Sequence, residues 1–529
     1  MRDWRGASIA TLTERVQTFD VVVIGGGANG AGIALDAASR GLKVALFERA
    51  DFGSGTSSRS SKLIHGGIRY LKRFQFGLVR DALDERACLL RNAPALVKPL
   101  GFLLPAYSRR ELLLYRSGLK LYDLFAGRNN LARSQVLQPG SARGLVPELS
   151  GVGLVGAVRY EDACFDDVRL LQAILHAASD AGALAINYAE VVALARNRRG
   201  RIGVVTVCDR RCGATFAVRA AVVINATGVH GDAVRGLVQP TPSARIQWSQ
   251  GAHVVVPRHF LGGDHALVLP RAPDGRIMFA LPWHGHVLLG TTDTPMRQLS
   301  EPPVPAAHEI DMILEVAGQH LVDTPRRADV RAVFAGVRPL AHVPGNVHTA
   351  RISREHAIDI DASGLVSISG GKWTTYRQVA MECVSAAVRS ARLSCGPCVT
   401  HNRKIAVASA DDLPLLDVAG FPRAGLAAVL LEQPWLAARL HPALPYCGAH
   451  FVWAARAEMA LTVADALAYR TRALFIDAQA AAAIAAPVAA IMAAELRQDA
   501  RWVVDEIAAV RKIAADFALT PIPARETPG

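Results

Sequence analysis

The stretch DVVVIGGGANGAGIALDAASRGLKVALFE, Asp20 to Glu48, decides the fold of this chain. Residues 21–24 form a short continuous apolar run, as a strand buried on both faces requires. Gly25, Gly27 and Gly30 follow in G-x-G-x-x-G spacing. The first glycine permits a tight turn, and the second lets the backbone approach a pyrophosphate. The third lets helix and strand pack closely, so that a helix N-terminus faces the phosphates. Gly41 closes the helix, and residues 43–47 read as a second strand. Glu48 ends that strand, eighteen residues past Gly30, where an acid accepts hydrogen bonds from a ribose. Strand, turn, helix, strand and acid in register predict a dinucleotide site. Glu48 disfavours a 2′-phosphate, which leaves NAD or FAD. A flavoprotein reduced by a nicotinamide would carry a second fingerprint, and the sequence has none. One dinucleotide fold with a large inserted β domain fits bound FAD and a small reduced substrate.

Working outward, RAAVVINATG (219–228) is another buried strand ending in small residues, and LVSISGGKWTTYRQVA (365–380) is strand, glycine pair and helix. Three such strand ends, far apart in sequence, predict one sheet built from non-contiguous segments. Between them, short β-rich runs fill residues 251–293, with turns at 273–275 and 284–285, the pattern of an antiparallel meander. Beyond about residue 405 the spacing of apolar residues is helical. Residues 450–474 read as one helical stretch, 477–518 as further helices, and the Ala-rich run 480–494, broken by Pro487, as a packed helix and not a membrane span. The expected fold is α/β: a Rossmann-like FAD-binding domain with an inserted antiparallel β-sheet substrate domain and a C-terminal α-helical domain. The expected boundaries are a polar leader at 1–18, a discontinuous FAD-binding domain at 19–405 with the insertion around 99–149 and 241–330, and the helical domain at 406–529.

With 529 residues, half of them hydrophobic, the chain can bury at least one large core. The net charge of +13 favours anionic partners: nucleic acid, an acidic membrane surface or a phosphorylated small molecule. The cations are scattered and never form a block of five, which argues against nucleic acid. Eight cysteines, with a C-x3-C pair at Cys208/Cys212 and a C-x2-C pair at Cys395/Cys398, do not make a disulfide framework. Two distant half-sites are a poor zinc site, so no metal is expected. The first eighteen residues lack the apolar core of a secretory signal, which predicts a cytoplasmic protein.

The segment TSSRSSKLIHGGIRYL (56–71) follows Glu48 and is rich in hydrogen-bonding groups without the period of a helix or strand. Together with residues 20–55 it resembles the N-terminal signature of FAD-dependent glycerol-3-phosphate dehydrogenases of the aerobic type, in the superfamily of FAD-dependent oxidoreductases. Three later motifs are similar to that family's and stand in the same order: YEDACFDDVRL (160–170), AGVRPL (335–340) and ISREHAIDIDASGLVSISGGKWTTYR (352–377). ARAEMALTVADALAYRTRAL (455–474) resembles the family's C-terminal domain. The resemblance spans roughly residues 19–520.

The resemblance implies oxidation of sn-glycerol 3-phosphate to dihydroxyacetone phosphate, with hydride passing from C2 to the flavin and electrons onward to a membrane quinone. A phosphomonoester suits arginine's bidentate fork, and the resemblance assigns that role to Arg338 and Arg354, helped by Arg69 and Tyr70. The hydroxyl proton needs a base, a task that suits histidine. His253 matches a family active-site histidine, and His65 is the alternative. Lys372, after Gly370-Gly371 at a helix start, is placed near the reacting centre. Cofactor contacts are expected from Gly25, Gly27, Gly30, Glu48, Thr56, Ser57, Ser58, Ser61, Leu63, His65, Gly66, Gly67, Val191, Thr227, Gly228, Gly371, Lys372 and Thr374. Gln247 and Gln250 stand where relatives commonly carry a cation, which bears on the phosphate site. Residues 99–127, apolar and basic together, read as an interfacial helix on an anionic membrane surface, which predicts peripheral association with the inner face of the cell membrane. A homodimer is the expected assembly. The competing readings are a related FAD-dependent oxidase of another hydroxy acid or amine, and a basic flavoprotein that binds RNA.

Overall fold

The computed structural model describes residues 4–67, 75–239, 243–270, 277–341, 356–405, 418 and 420–519 of the chain. The strand Thr18–Ile24 lies between Val44–Phe47 and Thr215–Asn225, parallel to both. Leu365–Ser369 adds in parallel beyond Thr215–Asn225, and Leu184–Ile186 beyond Val44–Phe47. The carboxyl ends of three strands, near Ile24, Asn225 and Ser367, are thereby brought to one edge, although the residues lie hundreds of positions apart. Alternation along the first strand explains its unbroken apolar run. Val21 and Val23 face one core with the helices Ala28–Ser39, Asp167–Asp180 and Tyr376–Ala391, whereas Val22 and Ile24 face a second core backed by the hairpin Ala189–Arg196 and Ile202–Asp209. Each fully buried valine contributes roughly 1.5–3 kcal/mol. Gly41, at φ +84°, caps the helix Ala28–Ser39 by donating to the Ala38 carbonyl.

The second sheet is larger than a local meander. The long strand Ile246–Pro257 pairs antiparallel with His286–Gly290 on one side and with Ala332–Ala341 on the other. His284 and Gly285, both at positive φ, turn the hairpin between Met278–Trp283 and His286–Gly290. The expected turn at 273–275 lies outside the described residues. The sheet continues through Ala266–Leu269 into Val97–Ala106, a parallel pair, and then to Gly156–Phe165 and Leu63–Ile64. Leu63–Ile64 is part of the serine-rich segment itself, so the loop that leaves the nucleotide fold ends as a strand of the substrate sheet.

Three segments differ from their sequence reading. Residues 99–127 are not one helix: 97–106 form a largely buried strand and only Arg109–Ala126 is helical. The leader, read only as polar, holds the helix Trp4–Glu14, whose Arg5 side chain, buried, donates to the Asn187 carbonyl at 3.0 Å and pairs with Asp209. Residues 450–474 are three short helices, Gly448–Ala457, Val463–Tyr469 and Ala473–Ile476. The breaks hold buried charges: Glu458 pairs with Arg169, and Arg470 pairs with Asp51, both at under 3 Å. These pairs tie the C-terminal helices to the helix Asp167–Asp180 and to the loop after Glu48. Pro487 sits in the first turn of the helix Ala485–Leu496, where a missing N–H costs nothing.

Candidate functional site

The strand ends of the first sheet and one face of the second enclose a cleft of about 510 Å³. Its floor is the turn between the strand Thr18–Ile24 and the helix Ala28–Ser39. Gly25 takes φ +106°, and a Cβ on Gly30 would sit 1.8 Å from the Gly25 carbonyl oxygen. A Cβ on Gly27 would fill the space 2.9 Å from Ser57 Oγ, at the helix N-terminus. This is a cradle kept open by absent side chains, facing the positive end of a helix dipole, and it fits a pyrophosphate. Glu48 is held ready beside it: its carboxylate accepts the Gly26 N–H at 2.6 Å and the Ala50 N–H at 2.9 Å. Burial pushes its pKa up, and the two backbone donors oppose that shift. The chemistry of this end of the cleft fits the adenosine diphosphate half of FAD.

The serine-rich segment runs along the wall. Ser57 Oγ accepts the Ala28 N–H at 2.9 Å, fastening the segment to the helix start, and Trp373 Nε1 donates to the Ser57 carbonyl at 2.9 Å. The motif YEDACFDDVRL supplies the supports from behind. Asp162 accepts the Tyr122 hydroxyl, which in turn accepts the Gly66 N–H at 2.9 Å, and Arg86 pairs with Asp162 at 2.7 Å. A Cβ on Gly66 would lie 2.5 Å from the Tyr122 hydroxyl oxygen and 2.8 Å from Leu83, so the packing of the wall requires a glycine there.

The other end of the cleft is built on the paired strands Ile246–Pro257 and Ala332–Ala341. Gly251 stands directly opposite Gly336, Ser249 opposite Arg338, and His253 opposite Phe334. Alternation puts Ser249, Gly251 and His253 on one face, and the cross-strand pairing puts Arg338 there too. The two glycines leave a gap in that face. The Arg338 side chain folds into it: a Cβ on Gly251 would lie 2.3 Å from Arg338 Nη2. A Cβ on Gly336 would lie 2.8 Å from the Arg59 carbonyl oxygen, so that gap also admits the serine-rich segment. Arg338 is held there by the carbonyls of Gln250 and Thr292, the Thr291 hydroxyl at 3.2 Å, and Asp293 at 3.5 Å. Its guanidinium thus lies over the residue two positions before His253.

His253 is 2% exposed, stacks on Phe334 with ring centroids 4.8 Å apart, and has Nε2 2.9 Å from Ser61 Oγ. Its Nδ1 has no hydrogen-bond partner among the described residues. Burial, then the charges of Lys62 and Arg338, hold its pKa well below the ordinary imidazole value. It is therefore a neutral imidazole at the cleft wall, the form a base needs. Gly370 and Gly371, at φ +74° and +93°, bring Lys372 to the head of the turn Trp373–Thr375 that leads into the helix Tyr376–Ala391.

Of the residues singled out in the sequence, the cleft brings together Gly25, Gly27, Glu48, Thr56, Ser57, Ser61, Leu63, His65, Thr227, Gly228, His253, Arg338, Gly371, Lys372 and Thr374. Gly30, Ser58, Gly66 and Gly67 lie behind this lining. Val191 is in the second core of the nucleotide fold and does not line the cleft. Arg69, Tyr70 and Arg354 lie outside the described residues. Gln250 does not replace a substrate-facing cation: its amide donates to buried Glu309 at 2.7 Å and to the Val304 carbonyl. A cluster at the mouth was not foreseen: Arg49 lies 2.6 Å from Glu301 and 2.9 Å from His230 Nε2, joining three loops across the adenosine end. No local signal marks it, because its members come from unrelated segments. Gly251 carried a usable signal, a glycine two residues before the candidate base.

Comparison with known proteins follows the same division. Residues 20–377 match the family described as FAD dependent oxidoreductase, and residues 424–502 match the C-terminal domain of alpha-glycerophosphate oxidase. The mitochondrial glycerol-3-phosphate dehydrogenase of Homo sapiens is 40% identical over 532 residues, covering 94% of this chain and 73% of the relative. Glycerol-3-phosphate dehydrogenase 2 of Mycobacterium bovis is 39% identical over 480 residues, covering 86% and 81%. Among solved structures, the glycerol-3-phosphate dehydrogenase from Bacillus halodurans complexed with FAD superposes with a TM-score of 0.73 at 26% identity over 99% of both chains.

Proposed function

Because the chain belongs to the FAD-dependent glycerol-3-phosphate dehydrogenases, we propose that the cleft oxidises sn-glycerol 3-phosphate at C2, giving dihydroxyacetone phosphate, with the residue roles that follow. Bound FAD supplies the acceptor for the C2 hydrogen and its electron pair. The chain's own residues bind the phosphate, orient C2 and take the hydroxyl proton.

The observation that carries this reading is the arginine–glycine–histidine face. A buried neutral imidazole and a guanidinium held in a glycine gap share one wall, one dipeptide step apart. Arg338 gives the substrate phosphate two parallel donors, with Arg354, Arg69 and Tyr70 assigned to the same anion on their motif positions. His253 takes the hydroxyl proton as the C–H bond breaks, and Ser61 fixes the orientation of its ring. Lys372 sets a cation where negative charge accumulates. His65, which lines the same cleft, contacts the cofactor.

Electrons leave to a membrane quinone, with the protein held peripherally at the inner face of the cell membrane. Supporting this, the helix Arg109–Ala126 exposes Leu113, Leu114 and Leu124 at 63%, 58% and 74%, beside exposed Arg109, Arg110 and Arg116. Among the described residues, no helix is long and apolar enough to cross a membrane.

The test of the substrate role is anaerobic flavin bleaching with glycerol 3-phosphate in wild type and in Arg338→Ala. The expected result is a large loss of apparent affinity in the variant. Unchanged affinity would remove Arg338 from the site.

A further inference from the structure

Behind the proposed base lies a fully buried lysine that the reaction scheme leaves unused. Lys62 is 1% exposed, and its backbone takes φ +59°, a left-handed conformation that bulky side chains rarely adopt. That turn separates it from Ser61, whose Oγ is 2.9 Å from His253 Nε2. The ammonium donates to the Ser58 carbonyl at 2.8 Å and to Asp167 at 2.5 Å, and it sits 5.2 Å from the centroid of Phe334, the ring on which His253 stacks. One aromatic ring therefore contacts both the base and the buried cation.

A stability role is a weak explanation. A buried ion pair is commonly matched or bettered by apolar side chains of similar size. Here the enclosure is also over-supplied with positive charge. Asp167 already accepts the N–H and hydroxyl of Ser60, and Arg472 lies 3.6 Å from it. Asp166, at the head of the same helix, is engaged by His284 Nε2 at 3.0 Å. Arg59, 6% exposed, stands over Phe475, the ring that Lys62 and Arg472 also approach. Burial and Arg472 bring Lys62 down to about 7, against the pull of Asp167 and Asp166. Arg338 is the other cation facing His253.

We propose that Lys62 is a positioning residue whose charge keeps His253 unprotonated in the resting enzyme. The inference rests on the reading of His253 as base. Removing the cation lets the imidazole gain a proton at higher pH, so the acidic limb of kcat/KM moves up.

The test compares wild type, Lys62→Met, Lys62→Gln, Lys62→Arg and His253→Asn, each loaded with FAD. Two readouts are taken: kcat/KM for glycerol 3-phosphate against pH, and NMR titration of histidines labelled at Cε1, with the His253 signal identified by its loss in His253→Asn. The neutral variants are expected to raise both the limb and the His253 titration by on the order of one pH unit, the scale of one charge acting through a protein interior. Lys62→Arg is expected to hold both at the wild-type position. An unmoved limb and titration in the neutral variants would overturn the proposal and leave the base reading standing. A pH profile that His253→Asn does not alter would overturn both. Should neither neutral variant hold FAD, the same histidine titration of the full-length FAD-free chains decides: a His253 signal at the wild-type position in both neutral variants overturns the proposal, and one raised in both supports it.

Discussion

Gly251→Ala places a single methyl group where the structure has put a guanidinium. The new Cβ would lie 2.3 Å from Arg338 Nη2, 2.7 Å from Arg338 Cζ and 2.7 Å from Thr291 Oγ1, all inside the 3.0 Å that real Cβ atoms respect. The arginine is the flexible partner and must leave the gap, so its bonds to the Gln250 and Thr292 carbonyls are lost and the fork no longer meets the phosphate as a pair. A hydrogen bond to a charged group contributes about 1.5–3 kcal/mol. Loss of a bidentate contact therefore costs about 3–6 kcal/mol, or roughly two to four orders of magnitude in kcat/KM. The assay is anaerobic stopped-flow bleaching of the flavin, run with glycerol 3-phosphate and with glycerol, which has no phosphate to lose. The expected loss is confined to glycerol 3-phosphate. A cycle with Arg338→Ala isolates the cause: once the guanidinium is gone, the extra methyl is expected to cost little. An equal penalty in both backgrounds, or an equal penalty for both substrates, would refute the reasoning.

Gly30→Ala drives a Cβ to 1.8 Å from a backbone oxygen, and the purified variant is expected to have lost its FAD, read as the ratio of flavin to protein absorbance; full occupancy would contradict the cradle. His450 is buried between Phe421 and Tyr446, and burial brings its pKa down to about 4. Its folded value lies below its unfolded value, so its contribution is present above pH 6.5 and is lost as pH falls toward 4, about 3 kcal/mol in all; denaturant titrations of His450→Gln are expected to lose that slope, and an unchanged slope would place the acid sensitivity elsewhere. Vesicle sedimentation tests the helix Arg109–Ala126: binding to anionic vesicles, release by high salt, and loss in a Leu113→Ser/Leu114→Ser/Leu124→Ser variant are expected, whereas equal binding to neutral vesicles would remove the electrostatic part.

What could be read in advance was what local chemistry encodes. Gly25, Gly27, Gly30 and Glu48 have roles set by spacing along one strand, turn and helix. The short β-rich runs and turns within 251–293 marked a meander. The rest depends on contacts that spacing does not carry. The helix breaks at Glu458 and Arg470 exist because Arg169 and Asp51, 289 and 419 residues distant, meet them in the interior. Residues 99–106 are as apolar as a membrane-facing segment because they are a strand covered on both sides. Gln250 looked like a weakened phosphate site until Glu309 supplied its partner. Lys62 and Asp167, 105 residues apart, are an ion pair only in the folded chain. Gly66 makes room for Tyr122 and Leu83, a requirement that needs the neighbouring helices in view.

The proposed chemistry of the cleft is removal of a hydride from C2 of a phosphorylated glycerol. The most direct measurement is an anaerobic titration of the FAD-loaded protein with sn-glycerol 3-phosphate, following flavin absorbance and assaying the product. Complete bleaching is expected, with dihydroxyacetone phosphate formed in equal amount to the flavin reduced, and almost none in His253→Asn over the same interval. A flavin that stays oxidised with glycerol 3-phosphate but is bleached by another hydroxy acid or an amine would contradict it.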